Sequence, residues 1–209
     1  MSSSAPLRIA VLVSGTGRSL ENLALQIKDQ RLSAQIVLVV SNTPGALALE
    51  RAKRLKLETL VVPHREHATP EEFSRAVFTA LEAQRVELAV LAGFLRLLLI
   101  PPNWLGRVIN IHPSLLPAFG GKGFYGERVH QAVLERGVQF TGCTVHYVTN
   151  EYDSGPILLQ RCIEVQANDD AHSLSARVFE EEQLALPEAI RLHASGRVRF
   201  ENGRALHQP

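Results

Sequence analysis

The chain has 209 residues, 45% of them hydrophobic, with 22 Lys plus Arg against 21 Asp plus Glu. That is enough apolar material for one large domain, or a domain with a small subdomain. The near-balance of charge argues against a general nucleic-acid or membrane surface while leaving room for a local pocket that binds one small anion. Cys143 and Cys162 form no CxxC pair, which argues against a zinc ribbon or redox motif and suits free thiols in a reducing cytoplasm. Met1 to Pro6 has neither the cationic stretch nor the apolar run of a signal peptide, and reads as a short disordered lead. The most apolar stretch, Ala89 to Ile100, is interrupted by Gly93 and Arg96 and is too short to span a bilayer. A soluble, intracellular protein is expected.

Strand-like runs alternate with helix-like segments. Ile9 to Val13 is a β-branched run ending in Ser14-Gly15-Thr16-Gly17, and a helix follows from about Ser19. Ile36 to Val40 predicts a second strand, Ala46 to Leu55 a helix and Thr59 to Val62 a third strand. Thr69-Pro70-Glu71-Glu72 carries a capping hydroxyl, proline in the first turn and Glu three residues after the Thr. Phe73, Val77, Ala80, Leu81 and Gln84 follow as the inward stripe of that helix. Leu88 to Leu91 and Arg107 to Ile111 predict strands four and five. Continuous apolar strands separated by helices imply a mostly parallel, Rossmann-like α/β sheet with helices on both faces.

Beyond Ile111 the character changes. Residues 143–148 alternate, Ile157 to Val165 is strand-like, and Asp153-Ser154-Gly155-Pro156 supplies a turn, so an antiparallel hairpin is expected. A long helix from about Ala171 to Ala194 closes the domain, with Pro187 expected to kink it. The division is a lead over 1–6, a single domain over 7–200 and a tail over 201–209. Within the domain, a nucleotide-binding half (7–111) precedes a catalytic half (112–200).

Four constellations could carry chemistry. The glycine-rich turn from Ser14 to Ser19, between strand and helix, offers backbone N–H groups and a positive helix end to a phosphate. Leu20 stands where the dinucleotide fingerprint needs glycine, so a monophosphate fits better, with Arg18 as an extra cation; a tight turn without ligand is the alternative. Asn110 and His112 lie two apart and should project together from a strand's C-terminal end, where open α/β sheets bind ligands. An amide beside an imidazole can hold an oxyanion and manage a proton, or can tie down the proline-rich loop that follows. Asp153 reads either as a turn aspartate satisfying its own backbone or as a carboxylate that meets His112 and raises its pKa. Leu174, Val178, Leu186 and Ile190 mark the inward row of the last helix, and Glu182 falls in that row. Such a carboxylate needs a partner, either a substrate ribose or amine or an arginine. His146 lies on a strand near this group. No histidine spacing matches a zinc motif, and no metal is expected.

The S-G-x-G turn, Ala92-Gly93-Phe94-Leu95-Arg96, Asn110 to Pro117, Thr141 to His146 and Asp153-Ser154-Gly155-Pro156 together resemble the phosphoribosylglycinamide formyltransferases, a branch of the folate-dependent formyltransferases. The resemblance runs in order from Ile9 to about Arg199. It implies formyl transfer from 10-formyltetrahydrofolate, a co-substrate, to glycinamide ribonucleotide, without metal, nucleic acid or membrane, in a cytoplasmic monomer or weak homodimer. By that resemblance Gly17, Arg18 and Ser19 hold the substrate phosphate, and Gly15, Thr16, Pro113 and Glu182 also contact that substrate. Leu95, Arg96, Leu97 and Leu98 hold the pterin through their backbone, and Val148 and Asn150 add folate contacts. Asn110 contacts folate and stabilises the oxyanion, His112 donates the proton, and Asp153 raises the His112 pKa. Three positions depart from the family pattern. Ser19 stands where Asn is frequent. Pro70 stands where an arginine near the folate tail is usual, with Arg65 or Arg75 as the alternative substitute. Phe179 replaces a glutamine. Relatives that formylate initiator tRNA carry a further C-terminal domain, and the formyltetrahydrofolate hydrolases an N-terminal regulatory one, so the short chain favours the ribonucleotide enzyme. The rivals are a hydrolase releasing formate, a non-catalytic folate or nucleotide binder, and an NAD-dependent oxidoreductase.

Overall fold

The computed structural model describes residues 5–208. Residues 1–4 of the expected lead and residue 209 of the expected tail lie outside the described residues. The chain divides after Ile109 into two compact units.

The first unit is a parallel sheet with helical crossovers. β1 (Leu7–Val13) pairs with β2 (Ala34–Ser41) on one side and β4 (Leu88–Leu91) on the other, and β3 (Thr59–Val61) extends the sheet beyond β2. Ile9 to Val13 are fully buried, as a central parallel strand covered on both faces requires. α1 (Arg18–Lys28), α2 (Leu47–Arg54) and α3 (Pro70–Ala83) make the crossovers, so the expected elements lie within a residue or two of their predicted limits.

The start of α3 differs in detail from expectation. Thr69 accepts from the Glu72 amide at 3.2 Å, but the Glu72 carboxylate takes the Ala68 amide rather than that of Thr69. The buried face of α3 is Phe73, Ser74, Val77, Phe78 and Leu81; Ala80 and Gln84 are only half-buried. Ser74 escapes a hydropathy reading because its hydroxyl is consumed by backbone groups.

β5 (Val108–His112) crosses the division between the units, one residue later than expected at each end. In the second unit, β6 (Phe140–Tyr147) and β7 (Ile157–Glu164) form the expected antiparallel hairpin. Their register slips between Val145 and His146, an irregularity of the kind that re-aims side chains beside functional sites. α4 (Glu127–Arg136) and α5 (Ala171–Ala194) pack together, and α5 also covers β6 and β7. Leu174, Val178, Leu186 and Ile190 are buried as predicted, and α5 continues through Pro187.

The segment read as a tail is instead ordered pairing. β8 (Val198–Glu201) and β9 (Arg204–His207) form a second hairpin. Asn202 and Gly203 both have positive φ, 51° and 73°, as a tight two-residue hairpin turn needs. Phe200 packs edge-on against Tyr147, whose hydroxyl meets His193 Nδ1 at 3.1 Å.

Candidate functional site

In the first unit the Ser14–Ser19 turn has the geometry of an anion cradle. Gly17 sits at φ 76° as the N-cap of α1, and no side chain caps the helix. A Cβ at Gly17 would lie 2.7 Å from Ala48 Cβ, so only glycine allows α2 to approach this closely. Gly15, Thr16 and Arg18 are exposed and Ser19 is half-buried. Glu21, in the first turn of α1, is bound by Arg51 and by Arg54 at 3.3 Å, which offsets the charge that would otherwise repel an anion there.

The turn is wired to the Leu95–Leu98 segment. The Ser14 amide donates to the Gly93 carbonyl at 3.0 Å, and the Leu95 amide donates to Ser14 Oγ at 2.9 Å. Leu95 and Arg96 are exposed, Leu97 is half-buried and Leu98 is buried.

In the second unit the alternation along β5 carries Asn110 and His112 to the same side, and the β6–β7 turn brings Asp153 to both. Asp153 has φ 51°, a left-handed conformation that aspartate tolerates better than most residues. Its Oδ2 accepts from the Gly121 amide at 2.9 Å and lies 3.6 Å from His112 Nδ1. Its Oδ1 is 3.4 Å from Asn110 Nδ2 and 3.7 Å from His146 Nε2, the latter an ion-pair distance rather than a hydrogen bond. A Cβ on Gly120 would fall 2.4 Å from Leu116 Cδ2 and 3.2 Å from Asp153 Cβ, so glycine at 120 is what lets the loop reach the carboxylate.

His146 belongs to the same cluster. It is 2% exposed, its Nδ1 meets the Tyr147 carbonyl at 2.9 Å, and its Nε2 meets Asn110 Nδ2 at 3.1 Å. Both ring nitrogens of His146 are thus engaged, Nδ1 with the backbone and Nε2 at hydrogen-bond distance from the Asn110 amide nitrogen. The only sequence signal was its inward position on β6.

The protonation of His112 departs from expectation. Burial pushes its pKa down and outweighs the opposing pull of Asp153 and of the Phe119 carbonyl, while His146 pushes it down further. Asp153 therefore acts in the expected direction without reversing the shift. For Asp153 itself, burial pushes the pKa up, but His146, His112 and the Gly121 amide together hold it below the usual carboxylate range. A charged carboxylate thus faces a buried imidazole whose Nε2 donates to the Phe119 carbonyl at 2.8 Å.

Pro113 follows His112 and is half-buried, and Val148 and Asn150 lie on the stretch leading from β6 to Asp153. Glu182 is half-buried on α5, close enough to Cys143 that, after burial itself, its charge helps push that thiol up to about 12. Arg161 binds its neighbour Glu181 at 3.2 Å and Glu188 at 2.8 Å. The Ser114 hydroxyl donates to the Ala118 carbonyl at 2.6 Å, so its proton serves the loop. Among the described residues no three His, Cys, Asp or Glu side chains are grouped to hold a metal ion. No helix among them is long and apolar enough to cross a membrane.

Comparison with known proteins converges on one family. The formyl transferase family matches residues 7–190. The chloroplastic phosphoribosylglycinamide formyltransferase of Arabidopsis thaliana is 36% identical over 205 residues, covering 96% of this chain and 70% of that one. The trifunctional purine biosynthetic protein adenosine-3 of Gallus gallus is 45% identical over 194 residues, covering 92% of this chain, which spans only 19% of that protein's length. Glycinamide ribonucleotide transformylase 1 of Symbiobacterium toebii superposes with a TM-score of 0.90 at 37% identity, covering 99% of this chain and 96% of that one. The mostly parallel sheet, the C-terminal hairpin and the long α5 are the fold of that transformylase, and the chain belongs to the formyl transferase family, in its phosphoribosylglycinamide formyltransferase branch.

Proposed function

We propose that the chain transfers the formyl group of 10-formyltetrahydrofolate to the amine of glycinamide ribonucleotide, giving formylglycinamide ribonucleotide and tetrahydrofolate in purine synthesis. The observation that carries this reading is the convergence of Asn110, His112 and Asp153 with His146 in one buried polar cluster. The neutral amine attacks the formyl carbon, and the resulting oxyanion is held by the Asn110 amide and by His112. The carbon–nitrogen bond to folate breaks, and the proton lost by the attacking nitrogen ends on the folate nitrogen. Burial favours the neutral form of His112 before the reaction, and the negative charge growing beside it lets the ring take the proton lost by the attacking nitrogen and pass it on to the folate nitrogen. Asp153 stays ionised throughout and orients the ring. No covalent intermediate on the protein is required.

In this reading Gly17, Arg18 and Ser19 hold the phosphate, while Gly15, Thr16, Pro113 and Glu182 also contact the ribonucleotide. Leu95, Arg96, Leu97 and Leu98, with Val148 and Asn150, hold the folate. Residues 7–200 act as one formyltransferase domain, metal-free, in a cytoplasmic monomer or weak homodimer that binds neither nucleic acid nor membrane.

The test mixes purified protein with 10-formyltetrahydrofolate and follows folate absorbance with and without glycinamide ribonucleotide. Release that requires the ribonucleotide, with formylated product, supports the transferase. Release without any amine overturns it in favour of a hydrolase, and absence of release overturns it in favour of a binding module.

A further inference from the structure

Between Phe94 and Ile100 the chain is irregular, and an irregular segment keeps its shape only where its backbone groups find partners. Here both ends are held by serine hydroxyls. At the near end, Ser14 Oγ accepts from the Leu95 amide at 2.9 Å and donates to Asn42 Oδ1 at 2.6 Å. Asn42 is 4% exposed, and its Nδ2 meets His64 Nδ1 at 3.3 Å, so the hydroxyl's direction is set from behind. At the far end, Ser74 Oγ accepts from the Leu99 amide at 2.9 Å and donates to the Pro70 carbonyl, one turn back on α3, at 2.7 Å. Ser74 is 3% exposed in an otherwise apolar helix face. Between the two anchors, no hydrogen bond joins Arg96, Leu97 or Leu98 to another described residue.

We propose that Ser14 and Ser74 are paired positioning residues that clamp the two ends of the Leu95–Leu99 segment, leaving the backbone of Arg96, Leu97 and Leu98 to the edge of a flat heterocycle. The identity of that heterocycle as the pterin of the formyl donor rests on the function proposed above; the clamp itself rests on the four hydrogen bonds. Each hydroxyl commits its one donor and one acceptor site to protein groups, so its part is to position the segment rather than to donate a hydrogen bond to the ligand. Holding the segment in its binding shape before the ligand arrives lowers the ordering cost of binding.

The matched pair Ser74→Thr and Ser74→Val tests this, because the two side chains share a shape and differ by the hydroxyl. Ser74→Thr keeps the bond back to the helix and the acceptor for Leu99. In the formyl-transfer assay it is expected to keep the folate KM within about threefold of wild type, whereas Ser74→Val raises it on the order of tenfold, the scale of one unsatisfied buried donor. kcat and the KM of the ribonucleotide stay unchanged in both. A folate KM equal in the two variants, or a parallel rise in both substrates' KM, overturns the clamp. Amide hydrogen exchange at Leu99 reads the same bond without any ligand. Faster exchange in Ser74→Val than in Ser74→Thr supports the clamp even if folate proves not to be the ligand, and equal exchange overturns it. Should neither variant fold, a Leu99 amide in the wild-type chain that exchanges as fast as an exposed one overturns it, and core-level protection supports it.

Discussion

His130 offers a test of how burial alone sets a titration in this protein. It lies on α4, 2% exposed, between the buried Val129 and Val133, and its Nδ1 has no hydrogen-bond partner among the described residues. Burial pushes its pKa down to about 4; Glu127 pulls it up and His112 pushes it further down, and neither alters the outcome. In the unfolded chain the same ring titrates near 6.5 (about the free value). Between those two values the unfolded chain binds more protons, so the folded chain loses stability as pH falls from about 6.5 to about 4. Above that window the group contributes nothing to pH dependence, and below it the loss is complete. The depression corresponds to roughly 3 kcal/mol. His130→Leu removes the titrating group along with the orphaned nitrogen, and its stability at pH 7.5 is expected within about 1.5 kcal/mol of wild type. Urea unfolding of both proteins from pH 7.5 to 4 should show the wild type losing roughly 3 kcal/mol more than the variant across the window. His112, also depressed, is present in both proteins, so it enters the difference only through its coupling to His130. Parallel stability curves would refute the reasoning, since they would mean that His130 takes up its proton in the fold as readily as in the unfolded chain.

Asn110→Ala and His112→Ala should each leave the fold intact by circular dichroism and lower turnover on the order of 100-fold or more, because each removes an oxyanion donor; near-normal turnover in either sinks the assigned roles. Asp153→Asn keeps the size of the side chain but removes the charge that pulls the His112 pKa up, so the limb of the kcat/KM profile belonging to His112 moves to lower pH. A profile in Asp153→Asn that is merely scaled down, with no limb displaced, contradicts that assignment. Gly17→Ala places a Cβ 2.7 Å from that of Ala48 at a φ of 76°. It should cost about 1–3 kcal/mol in thermal unfolding and raise the KM of the ribonucleotide more than that of the folate.

By itself the sequence determined what depends on short-range geometry. β1 to β4 and their crossover helices were legible because a buried parallel strand is a continuous apolar run and a helix has its own period. Asn110 and His112 could be placed together because side chains two apart on a strand share a side. The Asn202-Gly203 turn is equally local, a pair that favours a tight hairpin, although composition alone makes 201–209 resemble a tail.

What only the tertiary structure decided is what depends on residues distant in sequence. Asp153 could have satisfied its own turn; the β6–β7 hairpin instead carries it to His112, and Gly120 leaves the space it needs. His146 became a partner of Asn110 because β6 lies beside the residues at the end of β5, a pairing that no local pattern encodes. Ser74 is a polar residue on an apolar helix face, and only the fold brings the Leu99 amide to its hydroxyl. The His112 pKa shows the limit most directly. The sequence supplied a carboxylate that raises it, but the sign of the net shift was set by burial, a property of everything packed around the ring rather than of any residue near it in the chain.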